Sequence, residues 1–132
     1  MSALCIKISF FLEDNMNVND IKEILGAEII CRTDLLETPV VAACGSDMMS
    51  DVLAFVKEQA VLLTGLVNPQ VIRTAVMMDM VCVVFVRSKA PSEEMLELAK
   101  EAGIVIMTSE KRLYEACGIL YSNGLIGNKV KS

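Results

Sequence analysis

The 132-residue sequence contains no histidine. That removes both the usual general base and the commonest transition-metal ligand. It also lacks any Cys-x-x-Cys pair. Its five cysteines (Cys5, Cys31, Cys44, Cys82 and Cys117) are far apart and mostly embedded in apolar runs. They read as reduced core thiols of a cytoplasmic protein, and neither a metal site nor a cofactor is expected. Gly-x-Gly-x-x-Gly and Gly-x-x-x-x-Gly-Lys-[Ser/Thr] are both absent, so neither dinucleotide nor P-loop binding has a motif behind it. The 12 lysines and arginines are scattered among 17 acidic residues, for a formal charge of −5. Nucleic acid and anionic membranes require clustered cations and are not expected partners. No apolar run approaches the roughly 18 residues of a membrane span. The opening "MSALCIKISFFLEDN" turns acidic after a short apolar patch and has no small-residue cleavage pattern, so no signal peptide is expected.

What is present describes a packed α/β domain. Hydrophobic residues make up 54% and charged ones 22%, which excludes disorder, and the length fits one domain with a real core. Residues 1–15 read as an extension, either an extra strand or a misassigned start before Met16. Residues 16–125 read as the domain and 126–132 as a flexible tail.

"AVLLTG", "VCVVFVR" and "GIVIMTS" are continuous apolar, mostly β-branched runs, which indicates strands buried on both faces. Val61, Val83 and Val105 begin them at a regular spacing, and a polar loop and a helix follow each. That alternation predicts a single compact α/β domain of successive βα units, with a mostly parallel sheet covered by helices and right-handed crossovers. "NVNDIKEILGAE" predicts a helix capped by Asn19 or Asp20 and stopped at Gly26. "EIICR" predicts a strand, "TDLLETP" a turn, and residues 40–44 one buried strand. Ser46 or Asp47 is expected to cap a helix over "MMSDVLAFVKE", with Met48, Val52, Phe55 and Val56 on its apolar face. Asn68-Pro69, Ser92 and Ser109 are expected to start the later helices, and Gly103 and Asn123-Gly124 to end two of them.

In a parallel sheet, ligands sit outside the carboxyl ends of the strands. Residues 64–68, 87–91, 108–109 and 45–47 are expected to converge there. Gly65 permits a sharp turn and close approach of a ligand. The helix starting at Asn68-Pro69 presents first-turn N–H groups, which suit a phosphate or carboxylate. Arg73 and Arg87 add cations, and Thr64 and Thr108 add hydroxyls. The candidate ligand residues are therefore Ser46, Asp47, Thr64, Gly65, Asn68, Gln70, Arg73, Arg87 and Thr108. The same residues make a turn and a cap without any ligand, and both readings stand at this level. For catalysis, only Cys44 near Asp47 and Asp51 forms a local cluster, and adjacent carboxylates raise a thiol pKa and leave it inert.

"VNDIKEILGAEII", "CGSDMMSDVLAFV", "VLLTGLVNPQVIRTAVMMDMVCVVFVRSKAP" and "EMLELAKEAGIVIMTS" together resemble a stand-alone DRTGG domain over residues 18–124. Where other members carry Gly-Asp-Arg, this chain has Thr64-Gly65 followed by Leu66-Val67-Asn68. The family's later glycine pair is replaced near Arg87-Ser88-Lys89. The resemblance extends to the DRTGG domains of CBS-domain pyrophosphatases and phosphotransacetylases, and to the non-kinase N-terminal domain of HPr kinase/phosphorylase. It implies a non-catalytic, homodimerising or regulatory module that senses a small anionic metabolite or nucleotide. It also implies an alternative, an accessory factor of an anaerobic redox or hydrogenase system with no small ligand. An enzyme of phosphoryl or acyl transfer is the least favoured reading. The dimer face is expected on "SDMMSDVLAF" and the last helix.

Overall fold

The computed structural model of the protein describes residues 16–54 and 58–126. Its strands are β1 (Met16–Asn17), β2 (Glu28–Cys31), β3 (Pro39–Val40), β4 (Ala42–Gly45), β5 (Ala60–Thr64), β6 (Cys82–Phe85) and β7 (Val105–Thr108). Its helices are α1 (Val18–Leu25), α2 (Met49–Leu53), α3 (Pro69–Met77), α4 (Glu93–Ala102) and α5 (Leu113–Ser122).

Strands β4, β5, β6 and β7 lie side by side in chain order, all parallel. β2 joins antiparallel beyond β7, with Glu28 opposite Thr108, so the sheet is mostly parallel. The expected single strand over residues 40–44 is two strands. Val40 belongs to β3, which pairs with β1 in a separate small ladder, and the chain enters the main sheet only at Ala42.

The continuous apolar runs are buried on both faces. Val61, Leu63, Cys82, Val84, Val105 and Met107 pack with Ile21, Leu25, Ala116 and Leu120 beneath α1 and α5. Leu62, Val83, Phe85 and Ile106 pack with Val52, Ile72, Ala75, Met95 and Ala99 beneath α2, α3 and α4. Each Val, Leu, Ile, Phe or Met side chain among them removed fully from water contributes about 1.5–3 kcal/mol. The regular valine spacing finds the strands but not their register. Val61 is opposite Cys82, which is opposite Val105, while Val83 points to the other face.

Most helix signals act locally, but three of the expected caps are not the residues that occupy the cap position. Asn68 caps α3 through the Gln70 N–H at 2.8 Å, with Pro69 at the first position. Ser92 caps α4 through the Met95 N–H at 3.3 Å. Gly26 and Gly103 end α1 and α4 at left-handed φ of 61° and 77°, where a Cβ would be strained. Asn17, not Asn19 or Asp20, caps α1; Asp20 is the reciprocal member of its capping box. Neither Ser46 nor Asp47 caps α2. Both are drawn to loop contacts, and Met48, which occupies the cap position, is 60% exposed. Phe55 and Val56, expected on that helix's apolar face, lie outside the described residues. Ser109 is buried and does not cap α5. Its hydroxyl holds the Lys111 N–H at 3.2 Å, and the helix starts four residues later. The extension 1–15 and residues 127–132 of the expected tail lie outside the described residues. Ile126 is docked, its carbonyl accepting the Ala43 N–H at 2.9 Å on the side of β4 away from β5.

Candidate functional site

Because β4 to β7 are parallel, the loops that leave them meet at one edge of the sheet. Two arrangements are built there.

The first ties three loops together. Asp47, after β4, turns toward β5 and accepts two hydrogen bonds on Oδ1. One comes from the Thr64 hydroxyl at 3.0 Å and the other from the Gly65 N–H at 2.7 Å. The Thr64 oxygen in turn accepts the Leu66 N–H at 3.1 Å. Thr64 and Gly65 are buried while Asp47 is exposed. The carboxylate is thus an outside brace on an otherwise sealed turn. Arg87, after β6, lays its guanidinium on Gly65: a Cβ built there would come 2.6 Å from Arg87 Nη2. A side chain at position 65 would have to push the Arg87 guanidinium aside, so this close approach, not a left-handed backbone, favours glycine there. Arg87 and its successor Ser88 are both left-handed, at φ 59° and 56°, which costs roughly 1–2 kcal/mol per residue with a side chain. Two backbone hydrogen bonds hold them there, Arg87 N–H to the Lys111 carbonyl and Ser88 N–H to the Ser109 carbonyl, each at 2.8 Å.

The second arrangement is a groove of about 430 Å³ beside the first. Its walls are the β6–α4 loop from Ser88 to Pro91 and the β7–α5 loop from Thr108 to Glu110. Glu28 and Ile30 of β2, Gly26 before them, and Leu96 of α4 complete it.

The structure therefore gathers Asp47, Thr64, Gly65 and Arg87 into one cluster and places Thr108 in the adjoining groove. Ser46 keeps to its own loop, its hydroxyl accepting the Met48 N–H at 3.0 Å. Arg73 is turned away, toward Glu94 at 3.9 Å across α3 and α4. The expectation of open N–H groups at the start of α3 is corrected. Gln70 N–H is held by Asn68, Val71 N–H bonds the Asn68 carbonyl, and Gly65 and Leu66 N–H are taken by Asp47 and Thr64. Asn68 and Gln70 thus complete a closed cap. Sequence reasoning missed Glu28 and Ile30, which the antiparallel β2 brings in without any local signal. It also missed Glu110, whose place beside Ser109 was the available clue.

Three of the described thiols are not poised for chemistry. Burial pushes Cys31, Cys82 and Cys117 up from their ordinary range, and Cys117 packs its sulfur against Gly45. Among the described residues, no group of three His, Cys, Asp or Glu is placed to hold a metal ion, and no helix is long and apolar enough to cross a membrane.

Among solved structures, the fold is similar to the CBS and DRTGG domains of the regulatory region of Clostridium perfringens pyrophosphatase, complexed with the activator diadenosine tetraphosphate. The TM-score is 0.65, with 17% identity over 90% of this chain, and this chain spans 56% of that one. No curated protein matches the sequence. The DRTGG domain family matches residues 20–122, from within α1 to the last residue of α5. With most of its length inside that match, the chain belongs to the DRTGG domain family.

Proposed function

We propose that this chain is a non-catalytic, cytoplasmic regulatory module that senses a small anionic metabolite or nucleotide at the carboxyl edge of its sheet. The observation that carries this is the Arg87 guanidinium. It lies over Gly65 with no carboxylate in ion-pair range among the described residues, on a loop that is strained and hydrogen-bonded to two neighbours. An anion drawn to that guanidinium pulls on a segment tied to the β5 turn and to the β7–α5 loop. The regulatory character of the pyrophosphatase region with the similar fold supports the reading. A non-catalytic role is supported by the chemistry of the edge. The Thr64 hydroxyl, its best-placed oxygen, is buried, bonded to Asp47 and already accepting from Leu66, which leaves it no approach to a substrate. The redox-partner alternative rests on the resemblance alone.

The module acts as a homodimer in this reading. Tyr114, Gly118 and Tyr121 follow one another along the outer side of α5, with the tyrosines 92% and 68% exposed. Among the described residues nothing lies within 4 Å of a Cβ built at Gly118, so none of their contacts accounts for a glycine in mid-helix. In a two-fold pair of such faces, each with two tyrosines flanking a gap, a tyrosine of one copy would fill the gap of the other. Light scattering should give a dimer mass and Tyr114→Glu a monomer; a monomeric parent protein would end this part of the reading.

The sensing role is tested by melting the protein against nucleotides, acetyl phosphate and simple oxyanions. A ligand at about 100 times its Kd adds about 2.7 kcal/mol, a shift of several degrees that Arg87→Ala should abolish. A flat panel for the parent protein would overturn the reading.

A further inference from the structure

Helices α2, α3 and α4 lie against one face of the sheet and α5 against the other. The chain therefore leaves β6 toward one face and β7, its neighbour, toward the opposite face. Where adjacent parallel strands send their loops to opposite sides, the loops part and leave a crevice outside the carboxyl ends, the place where open α/β sheets hold ligands. The groove of about 430 Å³ occupies that crevice, within the roughly 300–1,000 Å³ usual for small-molecule sites.

We infer that this groove binds a nucleoside phosphate, which deepens the sensing role proposed above and rests on it. The lining selects the class. Glu28 and Glu110 offer carboxylates, which accept hydrogen bonds but cannot donate them. A bare oxyanion would face two like charges there, so the occupant has to bring donors. Lys89 supplies one ammonium, suited to a single phosphate group. Ile30, Pro91 and Leu96 form an apolar wall that suits the face of a flat ring. A nucleoside phosphate meets all three demands: ribose hydroxyls toward the carboxylates, base on the apolar wall, phosphate at Lys89. The groove also reaches the sensor loop. Ser88 lines it, while the preceding Arg87 reaches over Gly65, so occupancy bears directly on the strained pair.

The test is calorimetric titration of the full chain with adenosine and guanosine 5′-monophosphates, and with adenosine, 2′,3′-dideoxyadenosine 5′-monophosphate and inorganic phosphate. The nucleotides should bind. Loss of the phosphate or of the ribose diol should each weaken binding about tenfold or more, as removal of a hydrogen bond to a charged group does. Inorganic phosphate should not compete. Ala90→Trp, at an exposed loop position, fills the groove and should abolish binding with an unchanged circular-dichroism spectrum; Lys89→Gln should mimic loss of the phosphate. Nucleotide binding that survives both substitutions would overturn the groove assignment and leave the sensing role standing. So would failure of both nucleotides to bind while another anion raises the melting temperature. Failure of every ligand would overturn both.

Discussion

Asp47→Ala removes the brace of the carboxyl edge, and its cost can be worked from the geometry. One carboxylate oxygen receives the Thr64 hydroxyl and the Gly65 N–H. Both donors belong to buried residues and would lose their acceptor. A hydrogen bond to a charged group contributes about 1.5–3 kcal/mol, and a buried donor left unmet costs about 1–3 kcal/mol. Asp47 itself is exposed, so water can partly replace it, which places the loss near the low end for each bond. The expected total is about 2–3 kcal/mol, or roughly 10 °C in melting temperature for a domain of this size. Asp47→Asn retains the acceptor oxygen and loses only its charge, at about 1 kcal/mol. Urea titrations of the three proteins at neutral pH would measure both differences. A loss below about 0.5 kcal/mol for Asp47→Ala, the scatter of ordinary surface substitutions, would refute the reasoning. So would an asparagine as damaging as alanine.

Other consequences are equally open to measurement. Thr74 is fully buried in α3 and its hydroxyl has no partner among the described residues; Thr74→Val should raise stability by about 1–2 kcal/mol, and destabilisation would reveal a hidden partner. Ser88→Gly should relieve the left-handed strain and, after the entropy of glycine, stabilise by about 0.5–1 kcal/mol. A loss in the urea midpoint would contradict that. Gly45→Ala drives a methyl into the Cys117 sulfur and should cost about 1–3 kcal/mol, much of it recovered in the double variant with Cys117→Ala; additive losses would rule out the contact. Burial raises the thiols of Cys31, Cys82 and Cys117 above 9.0, so the unfolded chain ionises first. The thiols' contribution to stability should be flat below about pH 9 and fall above it, an effect that Cys82→Ala should lessen. A urea midpoint unchanged into strong alkali would refute this.

The parts of the fold legible in the sequence were those governed by neighbours along the chain. The β-branched runs predicted strands buried on both faces, and Asn68, Ser92, Gly26 and Gly103 sit at helix ends as their chemistry requires. What was not legible depended on distant partners. Asp47 and an N-cap aspartate look alike, since both are carboxylates seeking N–H groups. Only the return of β5 beside β4 supplies the Thr64 and Gly65 donors that win. Ser109 has the same ambiguity and is claimed by the Lys111 N–H. The direction of β2 has no local signature at all, and it is β2 that brings Glu28 and Ile30 to the groove. The converging loops were foreseen, but Arg73 was judged by its nearness in sequence to Asn68, whereas helical rotation carries it round to Glu94.

The contact between Ala43 and Ile126 has a bearing on how the protein is made. β4 is the first parallel strand to be synthesised and ends up at an edge of the main sheet, yet the carbonyl that covers its outward N–H comes from a residue near the far end of the chain. Until Ile126 has been synthesised, the Ala43 N–H lacks this acceptor, and an unpaired N–H on a sheet edge is a group that invites pairing with other chains. Closure waits for α5 to cross behind β4 and β5 and set Leu125 and Ile126 in place. A message cut short just after α5 would yield a chain with nearly all of the described core but without Leu125 and the carbonyl that takes the Ala43 N–H, a species for chaperones and proteases to recognise rather than a slightly shorter protein.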